Sequence, residues 1–382
     1  MSLKSDRKKT GYKAAIRDSD GKIVKEEINP PAAFTIKSGA TVDTDGLNIG
    51  SRVDIAGTLN VNRLTIPTSS VCSRLYIWEA GIVNVGATSS ITETDLYGTL
   101  NINAGTTHIY KENGLTMFGG ILNVKSGATL VSEKFTGSGN PYALAIGKSR
   151  SESGYRKSQI YVQSGGLLDL TQAQGGNDLS IGTWGSGAEL TVKADKEHAI
   201  YLNKICVRDY AAELTINSKN IFRSKNVTSG DEGYNIMFLM GAASKMVMNV
   251  NAEVHFGNLT YQHSGALLTV NMGKASDVYL SFNDVVVMGT NIIANIVFND
   301  FNNNRIYFES MDEIHDYVNI RGTGIDGTTL TKDDFYLVKA KFNGKDVYWL
   351  HSDLVVPEPA EWAAIFGAIA LALAAWKRRR RA

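Results

Sequence analysis

The sequence predicts an all-β chain: a parallel β-helix (β-solenoid) with a C-terminal β cap and one C-terminal transmembrane helix. Three observations predict it. A short apolar–polar–apolar triplet recurs through most of 34–272, commonly at intervals of 20 to 24 residues. Glycine is abundant (37) and proline scarce (6), so the chain turns at positive φ rather than at proline bends. Behind these, 362–376 is an unbroken run of 15 apolar or glycine residues followed by a cluster of cations.

The 382 residues are too many for one ordinary core, and suit two domains or one elongated solenoid. Removing the five cations and two carboxylates of 357–382 from the chain's 39 and 38 leaves 34 basic and 36 acidic residues. That near-neutral body shows no basic face of the kind that binds nucleic acid. The composition is neither disordered nor collagen-like. Cys72 and Cys206 lie 134 positions apart among apolar neighbours, which fits buried free thiols and neither a disulfide framework nor a metal pair.

Residues 1–33 read as a flexible basic leader, with Arg7, Lys8 and Lys9 near its start. Charges run throughout it, and no apolar core of a secretory signal is present. Either the natural start lies upstream of Met1 or export takes another route; the first is the expectation.

Residues 34–272 carry the repeats. The triplets are Leu59-Asn60-Val61, Val83-Asn84-Val85, Leu100-Asn101-Ile102, Leu122-Asn123-Val124, Leu168-Asp169-Leu170, Leu190-Thr191-Val192, Leu214-Thr215-Ile216, Met248-Asn249-Val250 and Leu268-Thr269-Val270. Alternation of period two means strand, with the aliphatic residues inward and Asn or Thr outward. Their centres step by 24, 17, 22, 46, 22, 24, 34 and 20 residues, so the 46 reads as two steps and the 34 as an insertion. An apolar–x–apolar–Gly unit interleaves with them, as in Leu144-Ala145-Ile146-Gly147 and Leu179-Ser180-Ile181-Gly182. A unit this short cannot bury its own apolar face, so neighbours must stack. An antiparallel sandwich is the competing architecture, because its strands also recur at short spacing.

Residues 273–353 read as an irregular β continuation and cap. Strands are expected in 278–288 and 292–308, a helical turn in 311–318 and a glycine–threonine loop in 320–330. Asn343-Gly344 between two strands is a strong hairpin signal, since both residues accept positive φ. A cap is needed because an open parallel edge invites aggregation.

Residues 354–382 form the last segment, which reads as a short membrane helix with a motif before it and cations after it. Pro357 and Pro359 flank Glu358 and stop a helix from extending backwards. The run that follows, as a helix, spans roughly 22 Å, short of the roughly 30 Å hydrocarbon core. Trp362 and Trp376 bracket it as interfacial aromatics, and Lys377, Arg378, Arg379, Arg380 and Arg381 form a cytoplasmic basic anchor. This three-part order resembles the PEP-CTERM sorting signal. The resemblance covers about 26 of the 382 residues. It implies recognition by a membrane-embedded exosortase-type transpeptidase that cuts near Pro357-Glu358-Pro359, and a bacterial envelope location with the body outside. The glycine-punctuated repeats are similar to the autotransporter-like β-helices of such surface proteins.

No catalytic constellation stands out. Glu189 and Glu213 each precede a triplet's leucine and can align on successive coils, where a solvated edge explains them. The histidines His108, His198, His255, His263, His315 and His351 lack metal-ligand spacing, and no nucleotide or nucleophile motif is present. Asp43-Thr44-Asp45-Gly46 and Asp18-Ser19-Asp20-Gly21 resemble the opening of a calcium loop without its later ligands, and read as turns. Residues 299–304, rich in asparagine, read as a loop. No cofactor or metal is expected. The expectation is a non-catalytic structural or adhesive protein of the cell envelope or extracellular matrix, whose partners are the membrane, the exosortase and an extracellular polysaccharide. The alternative is a polysaccharide-active β-helix enzyme, lyase or glycoside hydrolase, with the same sorting signal.

Overall fold

The computed structural model describes residues 14–17, 23–24, 33–66, 73–110, 114–133, 142–147, 157–171, 178–182, 187–208, 210–225, 236–241 and 244–355. The described residues are nearly all β, 56% strand and 1% helical, with the strands in long parallel sheets, consistent with a β-helix or solenoid. A repeat is three short strands: Leu75–Ile77, Ile82–Val85 and Ser89–Ile91 in one, then Thr94–Leu96, Thr99–Ile102 and Gly105–Ile109 in the next. Each strand pairs in parallel with its counterpart in the following repeat, so the first, second and third strands build faces A, B and C. Face A is an 11-stranded sheet. Faces B and C join because Thr58–Thr65 is long enough to pair with Ile82–Val85 and, through Thr65, with Ser90. Parallel pairing of successive repeats excludes the antiparallel sandwich.

The triplets act as the alternation requires. Leu59, Val83, Leu100 and Leu122 stand in register on face B and are fully buried, while the asparagines between them are half-buried. Burial of each such side chain contributes about 1.5–3 kcal/mol. Leu168-Asp169-Leu170 departs from its expected column: Leu167–Asp169 belongs to face C. The missing member of face B is Ile160-Tyr161-Val162, in register with Leu122-Asn123-Val124. The 34-residue step is a single repeat, since Leu214 pairs directly with Met248. Parallel pairing also runs on past residue 272, through Ala294–Phe301 to Val318–Gly324.

Antiparallel segments meet the stack at both ends. Ala14–Arg17, within the stretch read as a leader, pairs antiparallel with Thr41–Asn48. At the far end Val318–Gly324 pairs antiparallel with Thr329–Leu330, so 320–330 is a hairpin rather than a loop. Residues 311–317 hold one bend and a turn, not a helical turn, before the strand that starts at Val318. The expected hairpin is Tyr336–Phe342 with Lys345–His351, turning at Asn343 (φ 48°) and Gly344 (φ 81°). It closes the sheet that continues face C, with Tyr307 opposite Trp349. Asp43-Thr44-Asp45-Gly46 is not a turn: it lies within strand Thr41–Asn48. Asn299 and Asp300 likewise lie in strand Ala294–Phe301, with the turn confined to 303–304.

Candidate functional site

The sorting residues Pro357, Glu358, Pro359, Trp362, Trp376, Lys377, Arg378, Arg379, Arg380 and Arg381 lie outside the described residues, as do Cys72 and Asp18-Ser19-Asp20-Gly21. Among the described residues no helix is long and apolar enough to cross a membrane. The last described residue, Val355, is buried against the end of the stack beside Gly324. The body therefore holds the chain firmly two positions before Pro357.

Glu189 and Glu213 do align. They are register partners on adjacent face B strands, and the Lys157 ammonium bridges them at 2.8 and 3.3 Å. The Glu189 hydrogen bond, more than either charge, raises the Lys157 pKa above its ordinary value. Asn249 Nδ2 also donates to Glu213 Oε1 at 2.8 Å. The arrangement ties three repeats together by an ion pair. Asp169 is similarly engaged, pairing with Lys225 and accepting from the Thr171 amide at 3.0 Å.

A second constellation has the contacts of a nucleophile, base and orienting acid. His255, Ser281 and Tyr307 stand in register on a separate 5-stranded sheet that continues face C at the C-terminal end. His255 Nδ1 lies 2.7 Å from Ser281 Oγ and 2.8 Å from the Tyr307 hydroxyl, and Nε2 faces Glu253 Oε1 at 2.8 Å. The hydrogen bond from His255, aided by Lys219 at 3.0 Å, pulls the Glu253 carboxyl down to about 2 against the opposing effect of burial. Ser281 is fully buried, and Tyr307 lies under Trp349 of the closing hairpin with ring centroids 4.8 Å apart. Through Tyr307 the network meets the hairpin that closes this end of the stack. Sequence reasoning missed it, although the equal 26-residue spacing of His255, Ser281 and Tyr307 within apolar–x–aromatic triplets marks the column.

Two more buried groups are perturbed. Burial pushes the Asp178 carboxyl up to about 6, although Asn203 and Lys204 backbone amides donate to it. Burial likewise pushes the Cys206 thiol up to about 11, the state of an inert thiol. The described residues contain no group of three His, Cys, Asp or Glu side chains able to hold a metal.

The outward columns of face B are amide ladders. Asn123 donates to Asn101, Asn101 to Asn84, Asn84 to Asn60 and Asn60 to Asp43, each at 2.7 or 2.8 Å. A second ladder runs from Asn299 through Asn271 to Asn249, which donates to Glu213. Both point the same way and end on a carboxylate. Face A differs: Tyr76, Trp78, Tyr97 and Phe118 stack in turn, with centroids 5.1 to 5.7 Å apart, and Arg52 lies over Tyr76. No family model, curated protein or solved structure matches this chain.

Proposed function

We propose that this chain is an exported, non-catalytic structural or adhesive protein of a bacterial envelope or extracellular matrix. Its body is read as a right-handed parallel β-helix with a C-terminal β cap, delivered by a PEP-CTERM signal with one transmembrane helix. The observation that carries the non-catalytic role is how the body spends its polar groups. The outward asparagines bond one another, and Glu189 and Glu213 are bridged by Lys157. The His–Ser contact in register on the sheet that continues face C is buried beside the closing hairpin.

The sorting step rests on the tail's three-part order. The 15-residue run is a marginal permanent anchor, which suits a temporary one. The cations from Lys377 to Arg381 resist passage through hydrocarbon and stay inside. Two prolines this close together disfavour a helix interior, which would leave the backbone there open to an exosortase-type transpeptidase. Val355, two positions before Pro357 in the sequence, is itself buried on the body.

The register pairing of Glu189 with Glu213 favours one second reading, a polysaccharide-active enzyme. Two measurements decide. Expressed with an export signal in a host carrying an exosortase, the mature protein should lose Trp376 and the arginines, and alanines in place of Pro357-Glu358-Pro359 should abolish the loss. Retention of the arginines in that host sinks the sorting reading. Released reducing ends from a glycan screen, abolished by Glu189→Gln or Glu213→Gln, would replace the structural role with the enzyme.

A further inference from the structure

Face B carries an open groove of about 430 Å³ near its N-terminal end, lined by Asp43, Asp45, Asn60, Asn62, Asn84 and Asn103 among others. Two outward columns bound it. One is Asp43, Asn60 and Asn84, hydrogen-bonded to one another and continued along the stack beyond the groove by Asn101. The other runs Asp45, Asn62, Gly86 and Asn103, placed by the same strand register. In this second column Asn62 donates to Asp45 at 3.2 Å, and the line then breaks because Gly86 has no side chain. A Cβ at Gly86 would fall 2.6 Å from Asn62 Oδ1, so the Asn62 amide leans over the glycine and Asn103 stands exposed beyond it. The missing side chain makes a notch one repeat tall.

We propose that this groove is a docking track for an uncharged linear glycan lying along the stack, one sugar unit per repeat. An amide has two N–H donors and an oxygen with two lone pairs. The ladder uses one donor and one lone pair on each of Asn60, Asn84 and Asn101. A donor and an acceptor therefore remain on each of these three amides, at intervals of about 4.8 Å, while the carboxylate of Asp43 adds acceptors only. That interval is close to the length of one pyranose unit in an extended chain. An extended peptide repeats its same-face side chains only every ~6.6–6.8 Å and drifts out of register. The described lining holds carboxylates and no cation, which disfavours nucleic acid and uronate or sulfated glycans. It also offers little apolar surface to a lipid or an apolar helix.

The proposal takes its biological sense from the matrix role above, but its test is independent of sorting. The full-length chain is titrated by calorimetry with β-1,4-linked glucose oligomers, β-1,4-linked N-acetylglucosamine oligomers and oligogalacturonate. At least one neutral series should bind, its affinity rising tenfold or more from dimer to tetramer and flattening beyond, because the track spans the four repeats of Asp43, Asn60, Asn84 and Asn101. Gly86→Gln fills the notch and should weaken binding at least tenfold. The obstructing atom is the end of an exposed side chain, so the fold should persist; Asn103→Ala, fully at the surface, provides an independent loss. Lys341→Ala on the distant hairpin should change nothing. Absence of millimolar binding by both neutral series overturns the track, as does binding indifferent to Gly86→Gln and Asn103→Ala, or a preference for oligogalacturonate. Each of those results leaves C-terminal processing untouched, whereas failed processing with intact binding removes the sorting reading alone.

Discussion

On face B, Asn60, Asn84, Asn101 and Asn123 stand outward in register, half-exposed, each bonded to the next. On the sheet that continues face C toward the other end, His255, Ser281 and Tyr307 also stand outward in register, yet all three are buried. The inward residues differ in size as well. The N-terminal repeats fill their interior with Leu, Val and Ile, while the C-terminal repeats stack Phe256, Phe282 and Phe308, with centroids 5.6 and 6.5 Å apart. Parallel pairing is thus compatible with two ways of treating an outward column. Amides bond along the stack and leave a face open to solvent or ligand. A histidine, serine and tyrosine need partners of another shape, and receive them from one another and from a hairpin folded over the top.

The largest test of that contrast is in the interior. Phe282 lies between two rings and is fully buried, so Phe282→Ala leaves a cavity that neither neighbour can close. The expected cost is about 3–5 kcal/mol, read from urea unfolding of the full chain. A cost under about 1 kcal/mol would mean that the aromatic stack packs loosely and is not what holds the C-terminal repeats.

Two carboxylates predict opposite pH dependences. Asp178 has its carboxyl raised by burial from 3.8 to about 6, so its contribution to stability is complete below pH 3.8 and is lost as pH rises through 6. Asp178→Asn keeps an oxygen for the Asn203 amide and removes the charge. It should therefore gain roughly 3 kcal/mol over the parent at pH 8, and much less at pH 4. Glu253, lowered from 4.5 to about 2, contributes above pH 4.5 and loses that contribution as pH falls toward 2. Parallel pH–stability curves for parent and Asp178→Asn between pH 4 and 8 would show that Asp178 is not the group responsible.

Much of this organisation was legible from the chain. The triplets located strands and their inward residues, Asn343-Gly344 located the closing hairpin, and Glu189 and Glu213 proved to be neighbours across repeats. What the triplets do not encode is which face a strand joins. Leu168-Asp169-Leu170 has the same pattern as Leu122-Asn123-Val124, but the preceding turn carries it onto face C. Ile160-Tyr161-Val162 was hidden because its outward residue is an aromatic, free to find Asp195 rather than an amide neighbour. The strand at Asp43 was hidden for a related reason. Asp and Gly favour turns locally, and here pairing on both sides overrides them. The His255 column escaped notice because its three members differ in type, so only position, and not chemistry, repeats.

The smallest expected effect separates a ladder from a row of surface asparagines. Asn101 donates to Asn84 and accepts from Asn123, so Asn101→Ala removes two ladder bonds. Asn123 stands at the end, and Asn123→Ala removes one. Each bond is half-exposed, so water replaces much of what is lost, and about 0.5 kcal/mol per bond is expected. The interior variant should therefore cost about 1 kcal/mol and the end variant about half that. Hydrogen exchange of the amides in Thr99–Ile102 and Ile121–Val124 offers a sharper reading than global unfolding, since the damage should stay within adjacent repeats. Equal effects at both positions would mean that the asparagines act singly. In that case the open face owes its order to the strands beneath it, and the contrast with the buried His255 column reduces to exposure alone.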